Sequence, residues 1–336
     1  MDDLTPALAL RRIIMGFQDA RWVYVAAELG IADALRDGPL HGDALAHRLE
    51  ADPIALHRIL RGLVQLGVLD STDDRFALTP LGHLLRSDLS SSLRPMAQFW
   101  GHEIVQRPMS ELLHAVKTGQ PSFDRTFGQD FFSYLASHPD AAAVFDAGMA
   151  GSTDRVVTAA LSSYDFAGFS SIIDVGGGRG AFLVAILKAY PALTGVIFDR
   201  ARVRESAERD LEAAGLADRC RFVAGDFFES VPEGGDGYLL SRILHDWSDA
   251  ECVTILQACR RAMPEHGTLL VVELLMPDLG EPAIDAVRGD VVMLTLLPGR
   301  ERTEAEFRTL FAQADLRWVR AVPLSGGQYV IEAAPA

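Results

Sequence analysis

The stretch IIDVGGGRGAFLVAILKAYP, residues 172–191, decides how the second half of this chain folds. An apolar run ends around Asp174, glycines follow at positions 176, 177, 178 and 180, and an apolar segment with helical spacing comes next. This order is typical of the strand, tight glycine turn and helix that open a nucleotide-binding α/β fold. The turn could hold a dinucleotide, a mononucleotide of another kind, or nothing.

From residue 171 onward, apolar runs with strand character alternate with amphipathic helical segments. This alternation predicts an α/β domain over residues 161–336, with a Rossmann-like, doubly wound and mostly parallel sheet. The predicted strands are 171–176, 194–199, 220–226, 237–242 and 267–275, with a final strand pair near 317–333, and the predicted helices are 181–190, 202–215, 248–263 and 303–314.

The N-terminal half has a different character. Residues 7–36 show helical spacing but are unusually apolar for a terminal helix, which a partner chain would explain and which intramolecular packing alone could also explain. Residues 40–85 predict a winged helix, with two short helices and a β-hairpin wing. We therefore predict a helical, winged-helix domain over 1–105 and a helical linker over 106–160.

Composition narrows the class of protein. The net charge of −15 disfavours nucleic acid or an anionic membrane as partner. The acidic N-terminus has no long apolar signal core, and no apolar run reaches the roughly 20 residues of a membrane span. These features predict a soluble cytoplasmic protein. Cys220, Cys252 and Cys259 are expected to be ordinary reduced core residues.

The glycine spacing argues against a dinucleotide. Gly176-x-Gly178-x-Gly180 is one residue shorter than the dinucleotide pattern. Asp174 stands directly before the turn, where its carboxylate would repel a pyrophosphate that seeks backbone N–H groups. A ligand with an ammonium or sulfonium group would instead tolerate this acid.

Two further acids close predicted strands. Asp199 ends the second strand, where an acid accepts hydrogen bonds from ribose hydroxyls, and Asp226 ends the third, where it could meet an adenine amino group. Carboxyl ends of parallel strands meet in one crevice. Three acids without a basic phosphate clamp suit S-adenosylmethionine better than NAD. The alternative is that they are solvated strand-end aspartates.

A candidate catalytic residue follows the fourth strand. Ser248 and Glu251 have the spacing of a capping box, which predicts a helix that begins near residue 249. His245 therefore lies in the strand-to-helix turn, on the ligand side, where an imidazole can take a proton from a phenol. A lone histidine at such a position is more often structural.

Two glutamates are candidate partners of His245. Glu273 lies inside an otherwise apolar strand, where an unpaired carboxylate is unfavourable, and His245 is its obvious partner. Glu301 is a third catalytic candidate, with a surface salt bridge to Arg300 or Arg302 as its alternative. The chain shows no compact metal-ligand spacing, so we expect no metal in the site and activity that survives a chelator.

These residues together resemble the class I S-adenosylmethionine-dependent O-methyltransferases of the plant caffeic acid type and their bacterial natural-product relatives. The resemblance covers nearly the whole chain. It rests on DVGGGRG, the FD pair at 198–199, GDFF at 225–228, HDWSD at 245–249, VVE at 271–273 and GRERTEAEF at 299–307, in family order and spacing.

The resemblance implies roles for named residues. His245 would be the general base, flanked by Glu273 and Glu301, and the N-terminal domain would form an intertwined homodimer rather than bind DNA. Residues that would bind the cofactor are Asp174, Gly176, Gly178, Asp199, Gly225, Asp226, Phe227, Ser241 and Arg242. Residues that would line the pocket of a small aromatic substrate are Phe145, Met149, Asp246, Met293 and Leu297.

The sequence also departs from the plant pattern. Plant members usually carry a lysine near the position of Ser241 or Arg242, and the loop LTLLPGRERT is one residue shorter than the common plant form. The substrate is therefore expected to be a phenazine, polyketide or other phenolic rather than a lignin precursor. Alternatives are methylation of nitrogen or carbon, the same fold repurposed for hydroxylation or decarboxylation, and a winged-helix regulator that senses a ligand.

Overall fold

A computed structural model describes residues 5–277 and 284–336 of the chain. The chain divides into two compact units: Met1–Arg107 with Leu135–Ser152, and Pro108–Tyr134 with Thr153–Ala336. The segment 106–160, which the sequence predicts as a linker, thus contributes residues to both units.

The first unit contains the predicted winged helix. A short three-stranded antiparallel sheet has the order β1-β3-β2, and Asp52 caps the second helix of the motif by accepting a hydrogen bond from Ala55 N at 2.8 Å. The elements, including the helix that crosses its first boundary, are α1 (Pro6–Leu29), α2 (Ile31–Ala34), β1 (Leu40–His41), α3 (Gly42–Arg48), α4 (Pro53–Gln65), β2 (Leu69–Thr72), β3 (Arg75–Leu78), α5 (Pro80–His83), α6 (Arg94–Gly101) and α7 (Glu103–Ser110).

The predicted helical segment 7–36 forms two helices because Gly30 adopts a left-handed conformation, with φ +68°, and ends α1. The first half of α1 exposes large apolar side chains, among them Ile13 at 76% and Phe17 at 65%. An apolar face of this size on a single chain is typical of a surface that another chain covers.

The second unit is built on a seven-stranded sheet of order β6-β5-β4-β7-β8-β10-β9. Strands β4 to β8 are parallel, and β10 runs antiparallel to both β8 and β9. The elements, including the helices that cross its boundaries, are α8 (Leu112–Thr118), α9 (Ser122–Phe127), α10 (Phe131–Ser137), α11 (Pro139–Ser163), β4 (Ser171–Val175), α12 (Ala181–Ala189), β5 (Thr194–Asp199), α13 (Arg204–Ala213), β6 (Cys220–Ala224), β7 (Gly237–Ser241), α14 (Asp249–Ala262), β8 (Thr268–Leu274), α15 (Ile284–Leu296), α16 (Glu304–Gln313), β9 (Leu316–Pro323) and β10 (Gln328–Pro335).

This topology confirms the predicted mostly parallel α/β domain. Alternate side chains of the strands enter two apolar clusters, as Ile173 and Ile172 of β4 show. The three cysteines are free and buried, as predicted. Helix α15 is the one α-helix described after residue 171 in this unit that the sequence pattern did not predict. Among the described residues, no helix combines the length and apolar character that crossing a membrane requires.

Candidate active site

The glycine turn after β4 has backbone conformations and contacts that exclude side chains. Gly176, Gly178 and Gly180 all have positive φ, at +73°, +57° and +83°. A Cβ on Gly176 would lie 2.6 Å from Ile243 Cδ1, and one on Gly180 would overlap Ile197. Gly178 faces open space instead. The turn therefore closes tightly at both ends and leaves its middle open to a ligand.

Asp174 is buried directly beneath this turn. It is 2% exposed, and burial, followed by the nearby charge of Asp199, raises its pKa from 3.8 to about 7. Its Oδ2 has no hydrogen-bond partner among the described residues. A buried carboxylate oxygen without a partner is unfavourable, and a cationic ligand group would relieve it. The amino group of S-adenosylmethionine fits this requirement.

The other two strand-end acids are held by local hydrogen bonds. Asp199 accepts from the backbone N–H groups of Gly178 at 2.8 Å and Arg200 at 2.6 Å, so it fixes the glycine turn. Asp226 accepts from Phe228 N at 3.0 Å. Each carboxylate keeps lone pairs for ligand hydroxyl or amino groups.

Arg200 is a basic neighbour of the strand-end acids. The sequence predicts three acids without a basic phosphate clamp, and Arg200 Nη2 lies 3.0 Å from Asp226 Oδ2. The acid partly neutralises this cation, so it is not a free phosphate clamp. The sequence shows that Arg200 follows Asp199. Its pairing with Asp226 depends on how β5 and β6 align, which the sequence does not show.

Aromatic side chains border the same crevice. Phe227 packs edge-to-face against Phe228 and Trp247, with ring centroids 4.9 and 5.9 Å away. A Cβ on Gly176 would lie 3.5 Å from the Phe227 ring, so this ring lies next to the glycine turn. Gly225 packs closely on Phe198, where a Cβ would overlap the ring. This apolar wall beside the strand-end acids suits a planar base such as adenine.

His245 lies at the centre of a cluster of carboxylates. Its Nδ1 is 3.0 Å from Glu301 Oε1 and 3.6 Å from Glu273 Oε2, and its Nε2 is 3.4 Å from Asp246 Oδ1. The backbone N–H of His245 also donates to Glu273 Oε1, at 3.3 Å. His245, Glu273 and Glu301 are 8%, 0% and 4% exposed. The structure thus brings all three predicted catalytic residues together.

Electrostatics in this cluster favour a charged imidazole. Burial by itself lowers the pKa of His245, but Glu273, Asp246 and Glu301 together outweigh it and raise the pKa from 6.5 to about 10. Burial raises the pKa of Glu273, and the positive charge of His245 opposes this shift. His245 therefore has a far higher proton affinity than an isolated histidine.

The turn that presents His245 has the predicted local structure. Ser248 and Glu251 form the capping box, and α14 begins at Asp249. At the end of β7, beside Ser241, Arg242 has a left-handed backbone with φ +55°, and its N–H donates to the carbonyl of Val272 at 2.9 Å. A strained residue of this kind at a strand end is common at functional sites. Its charge acts on Asp246, whose pKa burial raises.

Glu301 is a buried partner of His245, so the alternative interpretation, a surface salt bridge with Arg300 or Arg302, is wrong. Arg300 pairs with Asp249 and Glu306, and the Arg302 guanidinium also turns to Asp249. The Asp290 carboxylate on α15 accepts from the backbone N–H of Glu301 at 3.0 Å. Helix α15, absent from the predicted elements, therefore helps to position a predicted site residue.

The predicted pocket residues lie in both units. Met293 and Leu297 belong to α15 and the residue that follows it, and the backbone N–H of Leu297 donates to the carbonyl of Met293 at 2.9 Å. Phe145 and Met149 lie on α11 in the first unit, where Phe145 packs edge-to-face on Phe99. The pocket-lining role of these residues stays a prediction, as does that of Asp246.

The same cluster has the donor set of a metal site. One ligand atom from each of His245, Glu273 and Glu301 lies within 4.8 Å of the other two. The sequence spacing did not indicate this, because the three residues come from separate segments. However, Nδ1 and Glu301 Oε1 are at hydrogen-bond distance, so a proton shared between them satisfies the same atoms.

A mostly parallel sheet with an unpaired buried acid under its glycine turn, combined with a histidine held among carboxylates, fits an S-adenosylmethionine-dependent methyltransferase. The chain belongs to the O-methyltransferase family. The model of the O-methyltransferase domain matches residues 109–317, and that of the O-methyltransferase dimerisation domain matches residues 12–88. This supports the predicted homodimer and assigns the winged helix to dimerisation rather than to a DNA-binding regulator.

Known relatives agree with this assignment. The chain is 43% identical to the phenazine O-methyltransferase PhzM of Lysobacter antibioticus, over 97% of this chain and 95% of the relative. It is 35% identical to the phenazine-1-carboxylate N-methyltransferase of Pseudomonas aeruginosa, over 99% of both chains. The solved structure of the O-methyltransferase NcsB1 from neocarzinostatin biosynthesis, in complex with S-adenosylmethionine and 2-hydroxy-5-methyl naphthoic acid, has a TM-score of 0.83, 33% identity and coverage of 94% and 96%. The protein is an S-adenosylmethionine-dependent methyltransferase of natural-product biosynthesis.

Proposed function

We propose that this enzyme methylates a hydroxyl group of a small aromatic natural product, such as a phenazine, a polyketide or another phenolic. The observation that carries this proposal is the position of His245 Nδ1 against the carboxylates of Glu301 and Glu273. The two carboxylates make His245 a strong base in a site that is almost closed to water. A hydroxyl acceptor needs such a base to lose its proton.

The two nitrogens of His245 have different roles. Nδ1 is at hydrogen-bond distance from Glu301 Oε1, at 3.0 Å, and a carboxylate only accepts hydrogen bonds, so Nδ1 carries a proton. Nε2 is then the nitrogen that takes a proton from the acceptor, and Asp246 Oδ1, 3.4 Å from Nε2, favours the charged ring that results. A phenol has a pKa of about 10, so an ordinary histidine would be too weak a base by about 3.5 pKa units. The carboxylates close this gap, because they raise the pKa of His245 to about 10. The reacting pair is then an imidazolium beside a phenolate.

On the cofactor side, each residue has a binding role in this proposal. Asp174 binds the ammonium group, and Asp199 accepts hydrogen bonds from the ribose hydroxyls. Asp226 and Phe227 bind the adenine. When bound, S-adenosylmethionine supplies an electrophilic methyl group on a sulfonium. The protein supplies alignment of the acceptor with this methyl, which contributes much of the rate.

The choice of oxygen over nitrogen rests on the same base. An aromatic amine attacks with its lone pair and loses its proton afterwards, so it needs no strong base at the moment of attack. An aromatic hydroxyl must lose its proton as the new bond forms. The N-methyltransferase of Pseudomonas aeruginosa among the relatives makes nitrogen methylation the second candidate.

The test measures release of S-adenosylhomocysteine with hydroxylated phenazines, polyketide phenols, catechols and the matching aromatic amines. We expect turnover on a hydroxyl acceptor that falls by ~10²–10⁴-fold in His245→Ala, because the general base is lost. His266→Ala removes an exposed histidine and serves as the matched control. Affinity for S-adenosylhomocysteine should stay unchanged in both variants. EDTA should leave turnover unchanged.

Three outcomes would contradict the proposal. Full turnover in His245→Ala would show that His245 is not the general base. Turnover confined to amines would assign nitrogen methylation. Loss of turnover in EDTA with recovery in Mg²⁺ would place a metal in the cluster.

A further inference from the structure

Arg302 is a buried cation next to the catalytic glutamate, yet the proposed reaction does not use it. It is 1% exposed, and it is one of the largest fully buried side chains of the protein. Burial of a guanidinium is unfavourable unless its donors are satisfied. Its surroundings show what satisfies them.

The guanidinium holds the turn that carries His245. Nη1 donates to the carbonyl of Leu244 at 2.8 Å, Nη2 donates to the carbonyl of Trp247 at 2.7 Å, and Nε donates to Asp249 Oδ1 at 2.9 Å. These three acceptors lie on both sides of His245 along the chain. A planar fork with fixed donor directions can bind all three at once, which an ammonium cannot do with the same geometry.

The backbone of Arg302 is tied to the strand that carries Glu273. Leu275 and Arg302 form a parallel bridge, and the N–H of Met276 donates to the carbonyl of Arg302 at 2.9 Å. Because Glu301 is its chain neighbour, Arg302 connects all three segments of the cluster. Its side chain binds the histidine turn, and its backbone binds the end of β8.

A glycine allows the loop to come this close. Gly299 is buried, and a Cβ at this position would overlap the carbonyl oxygen of His245. The loop 299–302 therefore packs directly on the backbone of the catalytic turn. The close approach of Gly299 and the hydrogen bonds of Arg302 restrict the same short segment, from Leu244 to Asp249.

We propose that Arg302 is a positioning residue that fixes the His245 imidazole against Glu301 and Glu273 for proton transfer. The inference rests on the proposed function, since it assigns Arg302 to the action of His245. Arg302 touches neither substrate nor cofactor in this role. Its effect on turnover passes through the histidine.

The test compares Arg302→Lys with Arg300→Lys. Both substitutions keep the charge and remove the fork, and both residues contact Asp249, but Arg300 is exposed at 40% of its side chain and holds no carbonyl of the turn. We expect Arg302→Lys to lower kcat by about 10²-fold, since small misplacement of a reacting group has effects of this size. Arg300→Lys should stay within about twofold. Affinity for S-adenosylhomocysteine should not change in either variant.

A double variant separates positioning from simple stability. If Arg302 acts through His245, then Arg302→Lys in the His245→Ala background should leave kcat unchanged within about twofold. Titration of the His245 imidazole by ¹⁵N NMR provides a readout that needs no acceptor. In Arg302→Lys, its pKa should move down towards that of an ordinary histidine, because the contacts with the carboxylates loosen.

The outcomes are distinct for each hypothesis. An equal loss of kcat in both backgrounds, or wild-type kcat and wild-type imidazole titration in folded Arg302→Lys, would overturn the positioning role. Full turnover in His245→Ala would instead overturn the proposed function, and the NMR titration would still decide whether Arg302 orients the imidazole. Arg302→Met is the second variant if the lysine variant does not fold.

Discussion

The glycine turn and the His245 cluster lie in the same unit, but they are built in opposite ways. The turn is a single short stretch whose shape comes from backbone conformations that only glycine adopts easily. The cluster joins residues 245, 273 and 301, and its shape comes from side chains buried with their charges. One region is local and made of backbone, whereas the other is long-range and made of ionisable groups.

This difference predicts that the two regions control different steps. Changes at the turn should alter cofactor affinity and leave the proton chemistry intact. Changes in the cluster should alter kcat and its pH dependence, while cofactor affinity stays constant. Substitutions in each region, and the pH dependence of stability, test this separation.

After His245→Ala, the largest effect is expected for Glu301→Gln. The substitution keeps the shape of the side chain but removes a carboxylate that raises the pKa of His245. We expect kcat to fall by roughly 10²-fold, because the base is weakened and less well oriented. Turnover of the wild type should rise with pH up to about 10, since His245 must lose its proton, and the variant should reach its plateau at a lower pH.

The control for this variant is Glu304→Gln, which removes an exposed acid paired with Arg308 on α16. Its pH profile should match that of the wild type. A profile of Glu301→Gln that does not move would separate Glu301 from the titration of His245.

A smaller effect is expected for Asp174→Asn on the cofactor side. Hydrogen bonds to charged groups contribute about 1.5–3 kcal/mol, so affinity for S-adenosylhomocysteine should weaken by roughly 10-fold or more, as calorimetry would show. At saturating cofactor, the pH profile of kcat should stay that of the wild type. Asp218→Asn, at an exposed position, is the matched control. Unchanged affinity would mean that the buried carboxylate does not meet the ammonium group.

A further effect concerns the stability of the cofactor-free protein rather than its turnover or its affinity. Folding raises the pKa of Asp174 from 3.8 to about 7 and the pKa of His245 from 6.5 to about 10. A raised pKa contributes stability that is complete below the unfolded pKa and disappears as pH rises through the folded one. Each pKa unit corresponds to about 1.4 kcal/mol. The free energy of unfolding should therefore fall between about pH 4 and 7, and again between about 6.5 and 10.

Urea unfolding at a series of pH values would separate the two contributions. Asp174→Asn should reduce the fall in the acidic window, to which Glu273 also contributes, and leave the alkaline window intact. His245→Ala should remove the fall in the alkaline window and leave the contribution of Asp174 to the acidic window intact. The contribution of Glu273 should change in this variant, because the positive charge of His245 that lowers the pKa of Glu273 is lost. A variant that changes both windows equally would show that the two regions are not independent.

The same contrast explains how much the sequence alone could predict. The glycine turn, the strands β4 to β8 and the capping box of Ser248 and Glu251 all depend on residues close together in the chain, and each prediction was confirmed. His245 and Glu273 were paired because an acid in an apolar strand needs a partner. These inferences used local rules and one general rule about burial.

The rest depended on packing that no local rule describes. The sequence allowed two interpretations of Glu301, as a partner of His245 or as a surface salt-bridge residue. Its chain neighbours Arg300 and Arg302 could each form such a salt bridge. Helix α15 was missed because Gly289 and β-branched valines have low helix propensity, and its packing against α8 and α9 stabilises it instead. The buried position of Arg302 follows from the close approach at Gly299, which only the fold reveals.

The five residues GRERT at 299–303 have consequences for enzyme engineering. In order, they provide the close approach to the turn, a surface ion pair, the acid beside His245, the hydrogen bonds to its turn, and the capping box of α16. A graft of this loop into a relative would therefore transfer function only together with residues 244–249. If the loop is exchanged without residues 244–249, the Arg302 guanidinium comes without the carbonyl acceptors that it binds in this protein. Recombination libraries should therefore place their crossovers so that both segments come from the same parent.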